Sequence, residues 1–431
     1  AAVSLAEIPM LFVLAGLVFY IVLAGADFGA ALWQISAPRT REGERLRALA
    51  HDVMAPVWEA NHVWLIFVLT VTWTAYPAAF GSMASTLALP LSIAAFGIIV
   101  RGAAYALSSG TSDPREIRRI DAASAISSVL APFALGACVG ALASGRVPYG
   151  NAAGDLWSSW LNPTSILIGV LAVVISAYLA AVYLCADAVR HGVTDIAEGY
   201  RRRALASGMV AGLLAIAGLV VLHGDAHPLY HELVAGNGLP ALILSVLAGA
   251  VTLLLVVRRR FEPARYTAAL AVTAIVAGWA LAQQPRFLPG LTIDQAAAPH
   301  DTLVAVIVAV VGGAIILFPS LALLLRLTLG GHLGHAAQVG VEEDHDEGHD
   351  GGEGRETAVE PWGRAPSGPA LPVAEGLAAR VAGACLVGGL GLLTAAETGW
   401  AHAVGVVLLL AFVVAGFLAT VPAFLDAEPQ T

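Results

Sequence analysis

The 431-residue chain is 58% apolar and only 12% charged, with a formal net charge of −9 and a mean hydropathy of +0.79. Soluble globular proteins carry roughly twice that charged fraction, so a soluble domain is excluded, and no nucleic-acid partner is expected. Strand-type alternation is absent, which argues against an outer-membrane barrel.

Apolar runs long enough to span a bilayer recur along the whole chain and predict an all-α, polytopic transmembrane protein. The first run, 8–35, lies in "AAVSLAEIPMLFVLAGLVFY", which lacks a basic leader and reads as a spanning helix rather than a cleaved signal. Further helices are expected at 52–76, 82–107, 121–145, 164–189, 204–223, 238–257, 266–283 and 302–328. Beyond them, 331–375 is an acidic Gly/His-rich linker, and two more helices are expected at 377–396 and 402–424. The domain reading is therefore a nine-helix body over 1–330, a linker over 331–375 and a two-helix appendage over 376–431.

Every basic residue is an arginine, and their placement orients the body. The loops after the first, third, fifth and seventh helices hold fifteen arginines, whereas the intervening loops hold only Arg146 and Arg286. Such asymmetry predicts an outside N-terminus and, with eleven spans, a cytoplasmic C-terminus. The net charge is local: the linker carries ten acids against Arg355 and Arg364, leaving the rest of the chain nearly neutral.

Cys138, Cys185 and Cys385 belong to no CxxC or CxxCH motif and read as small packing residues. His345 and His349, among the linker acids, read as part of a solvated loop rather than a metal site. His223, His227 and His231 recur at spacings of four, but Pro228 argues against a regular helix there, so surface histidines are expected. The segment "QQPRFLPGLTIDQAAAPHDT" reads as a Pro-rich loop entering the ninth helix, with Asp301 and Thr302 as N-cap candidates.

Three ionisable residues stand inside apolar runs at one depth. Asp27, in "LAGADFGAALW", lies on the first helix, Glu59, in "PVWEANHVWLIF", on the second, and Arg101, in "IIVRGAAYAL", on the third. With alternating helix directions, all three fall about 9–12 Å inside the arginine-rich boundary. An isolated charge in hydrocarbon costs at least ~2.5–3.5 kcal/mol, so these groups are expected to face one another inside the bundle. Gly25, Gly29 and Gly102 favour close helix approach, and Trp58, Asn61 and Trp64 surround Glu59 along its helix. One reading is an ion-paired cluster that only fixes packing; the other is a proton route reached from the cytoplasm. Asp187 and His51, nearer the boundary, read as helix-end residues in water or as an entry to that route.

These motifs, followed by "FLPGLTIDQAAAPHDTL" and "LFPSLALLLRL", occur in the order found in subunit II of the cytochrome bd quinol oxidases, which the chain resembles over about residues 8–328. The resemblance implies two four-helix bundles plus a peripheral helix. It implies a subunit of an oxygen-reducing quinol oxidase in the respiratory chain of the bacterial cytoplasmic membrane. The catalytic partner would be a haem-bearing subunit I, holding haems b558, b595 and d and forming a heterodimer with this chain. A small single-helix subunit accompanies some members, and some hold a structural quinone. The resemblance gives Asp27, Glu59 and Arg101 a proton-pathway role and makes Trp58, Asn61, Trp64, Gly25, Gly29 and Gly102 motif residues. Departures are Ala60 in place of the motif glycine, Ala24 in place of the first acid, and loss of a later arginine near Ala106–Ser108. No His, Met or Cys set suited to axial ligation is evident here, which fits a non-haem subunit. The alternative from another class is a proton-coupled secondary transporter or channel, although its midplane site would differ from these off-centre charges.

Overall fold

A computed structural model describes residues 4–37, 40–108 and 114–329, with isolated helical positions at 384–385, 404, 407–408 and 411. Side chains are described within these segments except at 41–42, 48, 51–60, 105, 108, 114–118 and 318–329. The chain divides into two units, Ala1–Gly340 and Val341–Thr431. The expected acidic linker lies outside the described residues, as do the two helices after it apart from those isolated positions.

The first unit is built from α1 (Ile8–Ser36), α2 (Arg41–Ala75), α3 (Pro77–Thr86), α4 (Ala88–Ser108), α5 (Pro114–Ala143), α6 (Pro163–Arg190), α7 (Thr194–Asp225), α8 (His227–Ala235), α9 (Leu239–Val257) and α10 (Phe261–Gln283). A hairpin of β1 (Arg286–Leu288) and β2 (Leu291–Thr292) leads through α11 (Ile293–Ala296) to α12 (His300–Leu329). Starts are set by local chemistry. Proline occupies the first turn of α1, α3, α6, α8 and α9, where its missing N–H is no loss. Asn162 Oδ1 accepts the Ser165 N–H at 2.9 Å, and Thr292 closes a capping box with Gln295.

One sequence of elements occurs twice. Two long helices, a one-residue kink, a short helix and two further long helices make up α1–α5, and the same order makes up α6–α10. The kink residues share a conformation, with φ −137° and ψ 60° at Tyr76 and φ −140° and ψ 53° at Ala226. In each half the first helix packs along the second and the fourth long helix along the third, while α1 against α6 joins the halves. Two four-helix bundles result, with α12 added at the periphery. Their seam is lined by small residues, and a Cβ on Gly29 would overlap the Ser176 backbone of α6. Large apolar side chains, among them Trp73, Phe96, Ile99, Leu213 and Val220, face outward as a lipid-exposed surface requires.

Several expectations are corrected. Helices α2, α5 and α7 begin seven to eleven residues before their apolar runs, because hydropathy marks the hydrocarbon and not the helix end. Ion pairs support these polar extensions, Arg45 of α2 bonding Asp195 of α7. The expected third helix is broken at Leu87, with an 82° bend between α3 and α4. Residues 227–235 are helical despite Pro228, which sits in the first turn where it is tolerated. The segment after α10 is a small hairpin rather than an open loop. Asp301 and Thr302 lie inside the first turn of α12, the Thr302 N–H bonding the Pro299 carbonyl, so neither is the N-cap.

Candidate functional site

The 3.6-residue period of α1 puts Tyr20, Ala24, Asp27 and Phe28 on one face, and all four are buried. That face meets α4 through Arg101 and α5 through Ala131, while Ser128 of α5 bonds Arg101. Arg101 Nε donates to Asp27 Oδ2 at 3.1 Å, and Nη2 donates to Oδ1 at 2.5 Å and to the Asp27 carbonyl at 3.0 Å. Its Nη1 donates to Ser128 Oγ at 2.6 Å, and that hydroxyl donates to the Ser124 carbonyl at 2.6 Å. The guanidinium carbon lies 5.3 Å from the centre of the Phe28 ring. With Asp27 only 2% and Arg101 9% exposed, both charges are withdrawn from solvent, and the two-point geometry offsets much of the desolvation cost.

Asn61 on α2 is 0% exposed, and neither atom of its amide has a partner among the described residues. The hydroxyl of Tyr20, two turns before Asp27 on α1, is likewise buried without a described partner. Trp64 stacks on Phe19 of α1 with ring centres 4.5 Å apart. Gly25 and Gly29 face α6, and Gly102 is half-buried on α4. The side chains of Glu59, Trp58 and His51 lie outside the described residues, although α2 runs through all three positions.

Asp187 is not the hydrated helix-end residue that its position suggests. It is 6% exposed and accepts bonds from Arg265 at 3.0 Å and Arg190 at 3.4 Å. Arg265 lies 5.1 Å from the Tyr183 ring centre. Each bundle thus holds an acid of its first helix against an arginine from another helix, with that arginine over an aromatic ring from the acid's own helix.

At the opposite end, Arg146 grips Asp225 with two bonds of 2.8 and 2.6 Å, and Thr164 Oγ1 donates to the same carboxylate at 2.5 Å. The Asp225 carboxylate pushes the Arg146 guanidinium further up from its ordinary value. Nearby in the 144–162 connection, N–H bonds from Ser158 and Trp157 and the Ser158 hydroxyl hold the Asp155 carboxyl below the usual carboxylate range. His223 and His227 stack edge to face with ring centres 5.3 Å apart. Among the described residues no three His, Cys, Asp or Glu side chains are grouped to share a metal ion.

Ser128 and Phe28 were not singled out by the sequence pattern. A signal for Ser128 exists in Ser124, Ser127 and Ser128, a polar stripe on an otherwise apolar helix. Nothing comparable marks Phe28.

Comparison with known proteins completes the description. The family model for cytochrome bd terminal oxidase subunit II matches residues 5–328. A chain from Bacillus subtilis (strain 168), named "Putative cytochrome bd menaquinol oxidase subunit II", is 23% identical over 218 residues, half of this chain. The match spans 62% of that relative's length. Among solved structures, the bd oxidase from Geobacillus thermodenitrificans contains a chain that aligns with a TM-score of 0.62 at 26% identity, covering 76% of this chain and 99% of the other.

Proposed function

Because the chain belongs to the cytochrome bd terminal oxidase subunit II family, we propose that it serves as the non-haem subunit II of a bd-type quinol:oxygen oxidoreductase. It works in a bacterial cytoplasmic membrane beside a haem-bearing subunit I, with the arginine-rich end at the cytoplasm. The relative named for menaquinol oxidation supports a quinol donor for the complex. The haems supply the electron transfer and oxygen chemistry when bound in subunit I. Donor chemistry among the described residues supports that division: His191, His223, His227 and His300 stand at helix ends, His231 lies midway along the short α8, and Met209 faces outward at 59% exposure, which leaves His62 of α2 in the interior of a long helix. Among the described residues, therefore, no second histidine stands within a long-helix interior to pair with His62 as an axial ligand.

The observation that carries the reading is the buried contact between Arg101 and Asp27. Arginine keeps its charge at any physiological pH, so Arg101 holds Asp27 as its counter-ion and fixes it against α4. Every described hydrogen bond of Arg101 goes to Asp27 or Ser128, and the second acid of the motif, Glu59, stands two turns into the neighbouring apolar run. With Asp27 and Arg101 offsetting each other, Glu59 is the acid to which an exchangeable proton falls. We assign Glu59 the mobile proton, Asp27 and Arg101 the fixed charges that set its surroundings, and Trp58, Asn61 and Trp64 the packing around it.

The test is Glu59→Gln in the assembled complex, read by quinol-driven oxygen consumption together with the haem absorption spectrum. The expected result is at least a roughly tenfold fall in turnover, about 1.4 kcal/mol in barrier, with the haem spectrum retained. Unchanged turnover in an intact complex overturns the proton role. Loss of haem-bearing complex at normal expression would make the cluster purely structural.

A further inference from the structure

The turn between α9 and α10 is a run of three arginines, and its backbone is unusual. Arg259 adopts φ 58°, a left-handed conformation that glycine ordinarily supplies; Gly192 supplies it between α6 and α7 with φ 72°. A residue with a Cβ is strained in this region, so the turn retains strain where a glycine would relieve it. The conformation directs Arg259 back onto α7, where Nη2 lies 3.2 Å from Glu198. Glu198 is already held by Arg201 at 2.8 Å and lies 3.8 Å from Arg202. One carboxylate thus faces three guanidinium groups, and none of its charge remains for others.

Arg258 and Arg260, on either side of the stapled Arg259, are exposed and have no carboxylate partner among the described residues. They stand where the polar end of the bundle meets its lipid-facing flank. Leu254 (47% exposed) and Val257 (54%) end α9 beside them, and Tyr266 (72%) stands on the first turns of α10. An exposed tyrosine at such a level suits the headgroup boundary of a bilayer. The surface therefore combines uncompensated positive charge with an adjoining apolar strip, which matches a ligand having both a phosphate and an acyl chain.

We propose that the α9–α10 turn binds the phosphodiester headgroup of an anionic phospholipid through Arg258 and Arg260. Arg259 is the staple that presents them, and Leu254, Val257 and Tyr266 receive the proximal acyl chain. A free phosphate ion would use the arginines but not the apolar strip. This site is independent of the Asp27–Arg101 pair and of any proton route.

The experiment uses the full-length chain with its native partner subunits in phosphatidylcholine nanodiscs doped with phosphatidylglycerol, reading retained phosphatidylglycerol by native mass spectrometry. Each surface arginine contributes about fivefold to anionic-lipid affinity, so Arg258→Gln/Arg260→Gln is expected to weaken retention about thirtyfold. Arg258→Lys/Arg260→Lys keeps the charge and is expected to retain the lipid. The proposal is overturned if the glutamine variant retains as much phosphatidylglycerol as the wild type, or if phosphatidylcholine is retained equally well. It is also overturned if excess inorganic phosphate displaces the lipid, which indicates a free-anion site, or if the lysine variant loses the lipid too, which indicates a damaged turn.

Discussion

Arg101 binds both the carboxylate and the main-chain carbonyl of Asp27, so one guanidinium ties α4 to the side chain and to the backbone of α1. Its remaining Nη1 contact reaches Ser128, which brings α5 into the same knot. Three helices of the first bundle are therefore held by a single buried cation. The consequence is an asymmetry: the pair as a whole is tolerated, but either half alone is not.

Removing one partner leaves an uncompensated charge in the bundle. Asp27→Ala or Arg101→Ala is expected to destabilise the subunit by about 3–5 kcal/mol. The double replacement of both residues by leucine is expected to cost much less than the two single effects combined. Thermal unfolding of the complex in detergent measures this, and additive effects of the single changes would contradict the coupling.

Gly29 offers a second, purely steric test. Its Cα faces the Ser176 backbone, where an added methyl has no flexible neighbour to displace, so α1 and α6 must separate. Gly29→Ala is expected to cost about 1–3 kcal/mol and to lower the yield of folded chain. Gly212→Ala, where no atom lies within reach of an added Cβ, is the matched control and is expected to be neutral or slightly stabilising. The same melting assay distinguishes the two positions.

The connection between α5 and α6 carries a pH dependence. The Asp155 carboxyl is held below its ordinary value by the Ser158 N–H, then the Trp157 N–H and the Ser158 hydroxyl. A depressed carboxylate stabilises its turn above its unfolded pKa, and that contribution fades as pH falls through the folded value. The turn around Trp157 is thus expected to be intact from neutrality down to about pH 4 and to loosen below it. Tryptophan emission, taken as the difference between wild type and Asp155→Asn, should change only in that acidic window. The amide still accepts the N–H bonds but does not titrate, so the variant's turn should be insensitive to acid.

Composition and hydropathy were enough to read an all-α membrane protein, its bundle helices and the uneven distribution of arginines. They also placed Asp27 and Arg101 at one level, because rise per residue converts sequence position into depth. Depth alone does not say which helix stands beside which. Tertiary structure decided that Arg101 meets Asp27, that Ser128 and Phe28 complete its surroundings, and that Asp187 is buried beneath Arg265. It also decided the helical α8, whose Pro228 reads as a breaker until its place in the first turn is known. Likewise, the two-fold recurrence of α1–α5 in α6–α10 rests on backbone conformations at Tyr76 and Ala226, two residues with no chemistry in common. A linear pattern records how apolar each stretch is and which face repeats; the azimuth at which two helices meet is set by packing between segments far apart in the chain, and no single segment encodes it.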